Sequence, residues 1–167
     1  MNNGSDHTII VKDFSKFLIS IIGCELVGIL STPFTISAIS TWYIFLNKPP
    51  FSPPNWVFGP VWTILYFLMG ISAFLVWRKG LKNKKVKKAL FYFLLQLFFN
   101  FLWSLLFFGL HSPLLGLLDI IVLLVSIVIT LVAFYRVSKI AAYLLIPYLL
   151  WVSFATILNL SIVLLNK

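Results

Sequence analysis

Five apolar stretches dominate the chain, at residues 17–36, 56–77, 89–110, 114–135 and 140–165, and polar residues collect between them. Each is close to the roughly 20 residues that a helix needs to cross a hydrocarbon core. Each must be helical, because an open strand would leave backbone N–H and C=O groups unpaired in lipid. The connections at 111–113 and 136–139 are short, which makes consecutive helices antiparallel neighbours in one bundle. The pattern predicts an all-α integral membrane protein: a polar N-terminal tail at 1–16, disordered at its start, and a single five-transmembrane-helix domain at 17–165. No second domain, internal repeat or low-complexity segment interrupts it. A signal peptide is the rival reading of the first stretch. The apolar run is too long for one, Glu25 interrupts it and no clean small-x-small site follows, which favours an uncleaved first helix.

Polar and aromatic side chains inside these stretches recur at helical spacing. Gln96, Asn100, Trp103 and Phe107 fall on one stripe of the third helix, and Asp119, Ser126 and Thr130 share a face of the fourth. Tyr148, Trp151, Ala155 and Asn159 do so in the fifth, and Trp62, Tyr66, Met69 and Ala73 in the second. Polar groups in a membrane helix face the interior, so these stripes predict a common lined space. Two readings stand side by side. Amides and hydroxyls serve as interhelical glue, and Trp42, Trp56 and Trp77 suit an interfacial aromatic belt. Trp62, Trp103 and Trp151, set further in, suit a pocket as well as packing. Asp119 and Glu25 are read as structural. The short distance from Asp119 to the turn holding His111 fits a structural hydrogen bond.

Composition agrees with lipid as the solvent: 61% of residues are hydrophobic and 10% charged, against about 25% charged in soluble domains. The net charge of +9 does not indicate nucleic acid, because the cations flank the membrane and are not interleaved with aromatics. Lys12, Lys16, the seven cations between Arg78 and Lys88, Arg136 and Lys139 lie on one side, eleven in all; Lys48 and Lys167 lie on the other. The excess of Lys and Arg predicts a cytoplasmic N-terminus and an outer C-terminus. The basic loop is suited to anionic headgroups. Cys24 stands alone, which excludes a disulfide framework. His7 and His111 are too far apart in sequence to suggest a metal site. No phosphate loop, HExxH or Ser/His/Asp set is visible.

One stretch departs from the helical pattern. "WYIFLNKPPFSPPNW" (42–56) packs four prolines, two tryptophans, a tyrosine and a lysine into fifteen residues. Prolines fix backbone angles and lower the entropy lost on ordering a loop, so a structured cap over one end of the bundle is expected.

Continued into the second helix as "WYIFLNKPPFSPPNWVFGPVWTILYFLMG" (42–70), this stretch resembles the signature of the TspO/MBR family, the tryptophan-rich sensory proteins and mitochondrial translocator protein (peripheral benzodiazepine receptor). "QLFFNFLWSLLFFG" (96–109), "LLDIIVLLVS" (117–126) and "LLIPYLLWVSFATILN" (144–159) follow in family order. The resemblance runs from about 23 to 159. It implies a five-helix bundle that binds porphyrins and similar flat aromatic ligands in a pocket under the first loop. Carried over by position, that pocket comprises Trp42, Tyr43, Pro53, Trp62, Tyr66, Asn100, Trp103, Ser104, Trp151, Ala155 and Leu158. Trp62 and Trp151 match the residues proposed in some members for light-dependent porphyrin breakdown. The resemblance also implies that no cofactor is required, with porphyrin as a ligand, and that homodimers form. A purely structural or partner-regulating role is the remaining alternative. The cholesterol-recognition pattern of animal members is missing: Leu160 and Ser161 stand where a tyrosine would be, and Tyr148 has no basic residue close downstream. That departure speaks against sterol transport and suits a bacterial cell membrane.

Overall fold

The computed structural model describes residues 3–167, with side chains from Lys12 onward. Helix α1 spans Asn3–Thr41, α2 Phe58–Trp77, α3 Lys84–Ser104, α4 Pro113–Tyr135, α5 Lys139–Leu144 and α6 Ile146–Leu165. No strand occurs among the described residues. Five helical segments are long and apolar enough to cross a membrane: Lys12–Thr41, Asn55–Trp77, Lys84–Gly109, Pro113–Tyr135 and Lys139–Leu165. Isoleucines and leucines such as Ile19, Ile29, Leu94, Leu118 and Leu150 cover the outside. Such a surface is compatible with lipid and not with water. The protein is an integral membrane five-helix bundle.

The first helix is longer than the apolar pattern suggests. It begins at Asn3, because no proline or glycine breaks the chain between Ser5 and Ile22. The polar tail at 1–16, expected to be disordered at its start, is helical from Asn3 onward; residues 1 and 2 lie outside the described residues. The helix also continues through Pro33, whose missing N–H costs an i→i−4 bond. Around that point Ser31, Thr32 and Thr35 turn their hydroxyls back on the carbonyls of Val27, Gly28 and Ser31, at 2.8, 2.8 and 3.2 Å.

The fifth span is two helices joined at Leu145. Pro147 cannot donate, and the Leu145 N–H turns to Ala142 at 3.0 Å. The Ala141 carbonyl is thereby released, and Ser72 of α2 donates to it at 2.7 Å. A second irregularity closes α3. Residues Leu105–Gly109 form a π turn in which the Leu110 N–H reaches the Leu105 carbonyl at 2.8 Å. The extra residue lets adjacent Phe107 and Phe108 both point inward, 2% and 6% exposed. His111 follows with φ of 52°, a left-handed value that His tolerates better than most. Ser112 then caps α4 by accepting from the Leu115 N–H at 3.3 Å, with Pro113 at its first position.

α1 packs along α2, α3 along α4, and α6 along α4. The α1–α2 approach is close enough that a Cβ on Gly70 would lie 2.7 Å from the Ile21 Cα. The dry interior holds Met69, Val76, Val86 and Phe134, and Phe93 stacks on Phe134 at 5.5 Å. Every member of the third-helix stripe is buried, as are Asp119, Ser126 and Thr130. The hydrogen bond expected for Asp119 is not made by its buried Oδ2, which has no partner among the described residues. The hydroxyls nearest on its own face, Ser126 and Thr130, are committed to the carbonyls of Val122 and Ser126.

Candidate functional site

A cavity of about 390 Å³ opens between α1, α2 and α3 at the end of the bundle that carries the first loop. Trp62 and Tyr66 of α2 and Trp103 and Ser104 of α3 form one wall, and Phe58 and Phe108 flank them. Trp62 and Tyr66 lie one turn apart with ring centroids at 5.5 Å. The opposite wall is α1, which presents Gly28, Ser31, Thr32 and Thr35, with Glu25 deeper in the helix. Asn55 and Trp56, where the loop enters α2, stand at the mouth, and Trp56 is 74% exposed.

The chemistry of the α1 wall follows from its back-bonded hydroxyls. Ser31, Thr32 and Thr35 have given their protons to their own helix, and Thr63 has done the same toward Gly59 at 3.1 Å. What they offer a ligand is oxygen lone pairs. Among the described residues no lysine or arginine lines the cavity. The space therefore suits a flat apolar plate with N–H or O–H donors, between aromatic faces and acceptor oxygens.

Beneath the aromatic wall lies a polar chain across three helices. The Tyr66 hydroxyl donates to Asn100 Oδ1, and Asn100 Nδ2 donates to the Tyr148 hydroxyl at 3.1 Å. Asn100 is 2% exposed, so it holds Tyr66 in place and does not face the cavity. Gly28 accommodates the same ring, since a Cβ there would lie 2.6 Å from the Tyr66 Cε2. Trp103 donates through Nε1 to Asn159 Oδ1 at 3.2 Å, and Asn159 Nδ2 donates to the Pro113 carbonyl at 2.8 Å. Tyr66 and Trp103 of the aromatic wall are thus fixed by interhelical hydrogen bonds.

The loop is braced rather than loose. Lys48 Nζ donates to the Tyr43 carbonyl at 2.7 Å and sits 4.6 Å from the Tyr43 ring centroid. Asn47 and Asn166 bond to one another at the far end of α6. Trp42 stacks on His111 at 4.8 Å and meets Phe107 edge-on at 5.7 Å. Tyr43 is 3% exposed and packs on Phe107 and Phe108. Burial raises its hydroxyl pKa above the ordinary value, and a hydrogen bond with Ser52 opposes that rise.

Of the eleven residues the sequence pointed to, Trp62, Tyr66, Trp103 and Ser104 line the cavity. Trp42 and Tyr43 lie in the aromatic packing beside it, Pro53 in the loop, and Asn100 behind the wall. Ala155 and Leu158 are buried in α6. Trp151 meets Phe58 at 6.0 Å and Phe154 at 5.6 Å. It does not line this cavity. The α1 contribution was not anticipated. Its signal was present as small and hydroxylated residues at 28, 31, 32 and 35, the spacing of one helix face. No group of three or more His, Cys, Asp and Glu stands together among the described residues.

Comparison with known proteins bears on what this bundle is. The TspO/MBR family matches residues 20–165. The tryptophan-rich protein TspO of Archaeoglobus fulgidus is 48% identical over 151 residues, covering 90% of this chain and 97% of that protein. The human translocator protein is 42% identical over 119 residues, 71% of this chain and 70% of its own length. A tryptophan-rich sensory protein of Cereibacter sphaeroides is 35% identical across 92% of this chain and 93% of its own. With five membrane-crossing helices, a proline-braced first loop and a family match over nearly the whole chain, the protein belongs to the TspO/MBR family.

Proposed function

We propose that this protein is a membrane receptor or transporter for porphyrins and similar flat aromatic molecules, acting as a tryptophan-rich sensor. The observation that carries the reading is the cavity of about 390 Å³ walled by Trp62, Tyr66 and Trp103, within the roughly 300–1,000 Å³ of small-molecule sites. Its aromatic faces suit a conjugated ring. Since no cation lines it, acidic arms of a porphyrin project through the mouth beside Asn55 and Trp56. The names of relatives, a sensory protein and a translocator protein, fit such a role. No cofactor is needed for binding.

The proposed setting is a bacterial cell membrane with the N-terminus cytoplasmic and the C-terminus outside. Eleven of the 13 lysines and arginines lie on the N-terminal side of the membrane in that arrangement, and the cavity mouth then faces outward. Family resemblance alone suggests a homodimer.

The test is a titration of protoporphyrin into the purified protein in detergent, followed by tryptophan quenching. Saturable quenching that a Ser104→Phe variant abolishes supports the reading. Non-saturable quenching in the unaltered protein rules it out.

A further inference from the structure

A second concavity, between α1, α3 and the end of α2, opens toward the end of the bundle away from the first loop. Its volume is about 870 Å³. Ser20, Gly23 and Cys24 of α1 form its floor, where small side chains leave room that phenylalanines of α3 do not fill. Gly23 is the centre of that room, since a Cβ added there would meet nothing within 4 Å. On α3 the groove runs from Lys87 to Phe101, about 21 Å at 1.5 Å per residue. That exceeds the depth of one hydrocarbon leaflet, about 15 Å.

The mouth is as charged as the floor is apolar. Lys87 lines the groove itself, and Trp77 and Leu81 mark its upper rim. The loop between α2 and α3 and the first turn of α3 carry Arg78, Lys79, Lys82, Lys84, Lys85, Lys87 and Lys88. Among the described residues, Asp13 is the one carboxylate that pairs with a cation here, meeting Lys16 at 3.1 Å and Arg78 at 3.7 Å. Lys84, Lys85, Lys87 and Lys88 sit at the start of α3, where the helix dipole disfavours positive charge. Helix stability does not account for them; membrane orientation favours them on this side, and an anion at that position would be favoured by both lysines and dipole.

We infer that this groove is a binding site for a diacyl phospholipid with an anionic headgroup. An acyl chain lies along Gly23 and the α3 phenylalanines, and the phosphate is held among Lys84, Lys87 and Lys88. The inference is independent of porphyrin binding, because the two cavities share no lining residue. The long apolar trough below a cation cluster matches an amphiphile of this shape, with its apolar chain below and its anionic head above.

The test uses the full chain in detergent, titrated with dioleoyl phosphatidylglycerol or dioleoyl phosphatidylcholine and read by native mass spectrometry. Phosphatidylglycerol is expected to bind about tenfold more tightly, a ratio that falls as salt rises. The combined variant K84Q/K85Q/K87Q/K88Q brings the two lipids to near equality. Gly23→Leu fills the trough and weakens binding of both lipids, while protoporphyrin quenching is unchanged. Equal binding of the two lipids to the unaltered protein overturns the inference. So does a Gly23→Leu variant that keeps its helical circular dichroism and still binds phosphatidylglycerol fully. A Gly23→Leu change that alters the oligomeric state and leaves lipid binding intact also overturns it, and assigns the groove to a second copy of the chain.

Discussion

Asn47 and Asn166, 119 positions apart, bond to each other in both directions: the Asn47 N–H donates to Asn166 Oδ1 at 2.9 Å, and Asn166 Nδ2 donates to the Asn47 carbonyl at 2.9 Å. The first loop is thereby tied to the last turn of α6, where Asn166 also donates to Ile162 at 2.8 Å. Asn166→Ala removes these bonds, each worth about 1 kcal/mol. Amide exchange across residues 46–54 should rise about thirtyfold, the two loop bonds together being worth about 2 kcal/mol, with the helices unaffected. Hydrogen-exchange mass spectrometry checks this, and unchanged protection at Asn47 would show that the prolines alone hold the loop.

The cavity assigns different weights to tryptophans that look alike in sequence. Trp62→Ala removes a cavity wall, and the loss of one aromatic contact worth about 1.4 kcal/mol corresponds to a tenfold weaker protoporphyrin Kd. Trp151→Ala, which empties the space beside Phe58 and Phe154, should leave Kd within about twofold. Quenching titrations of the two variants decide between this arrangement and one with both indoles on the ligand. Illuminated samples of the same two variants give a parallel readout, since porphyrin bleaching that is equal to the unaltered protein in both would leave binding as the whole activity.

Tyr66→Phe strips the donor from buried Asn100 Oδ1. The cost is about 1 kcal/mol, in the range of interhelical hydrogen bonds within membranes. A double-mutant cycle with Tyr148→Phe, read by thermal unfolding in detergent, should show coupling, because Asn100 bridges the two hydroxyls. Strict additivity would mean that Asn100 finds other partners.

Close backbone approach makes Gly70 intolerant. Gly70→Ala drives a Cβ to 2.7 Å from the Ile21 Cα and should destabilise the α1–α2 pair by about 2 kcal/mol. Gly59→Ala meets nothing within 4 Å and serves as the control, neutral or slightly stabilising. Comparison of their apparent Tm values in detergent checks the contrast.

Tyr43 gives the loop a pH dependence. Its pKa in the folded protein is raised by burial, with the Ser52 hydrogen bond opposing. The buried neutral hydroxyl therefore keeps its proton where the unfolded chain has lost its own. This contribution to stability is complete below the unfolded value of about 10 and is lost as pH rises through the folded value. Thermal stability should fall above pH 10, and Tyr43→Phe should reduce the slope. An unaltered slope in the variant would assign the fall to other groups.

The helices were legible because lipid leaves the backbone few alternatives, so length and hydropathy sufficed to locate each span. The interior stripes were legible for the same reason, and Gln96, Asn100 and Trp103 lie buried where their spacing put them. The cavity was less so. Ser31, Thr32 and Thr35 are ambiguous in sequence, since a membrane hydroxyl serves a helix bend, an interface or a ligand equally well. Asn100 faces inward as its spacing indicated, but its place on the ligand came from the family resemblance, and spacing does not reveal that two tyrosines already bond to it. The break at Leu145 had a visible cause in Pro147. The π turn at 105–109 had none, because its cause is tertiary: two neighbouring phenylalanines are wanted on the same side.

That π turn also affects how the chain can be compared with its relatives. One residue within 105–109 is surplus to α-helical register, so a relative lacking it would align with a single gap there and still keep Trp103 in place. Everything beyond, from Phe107 through His111, would be rotated by about 100° in such a relative, the turn per residue of a 3.6-residue helix. Trp42 would then lose its stacking partner. The surplus residue thus acts as an indexing notch that sets which faces of the third span meet the loop, and insertions or deletions there change the loop's seating before they change the bundle.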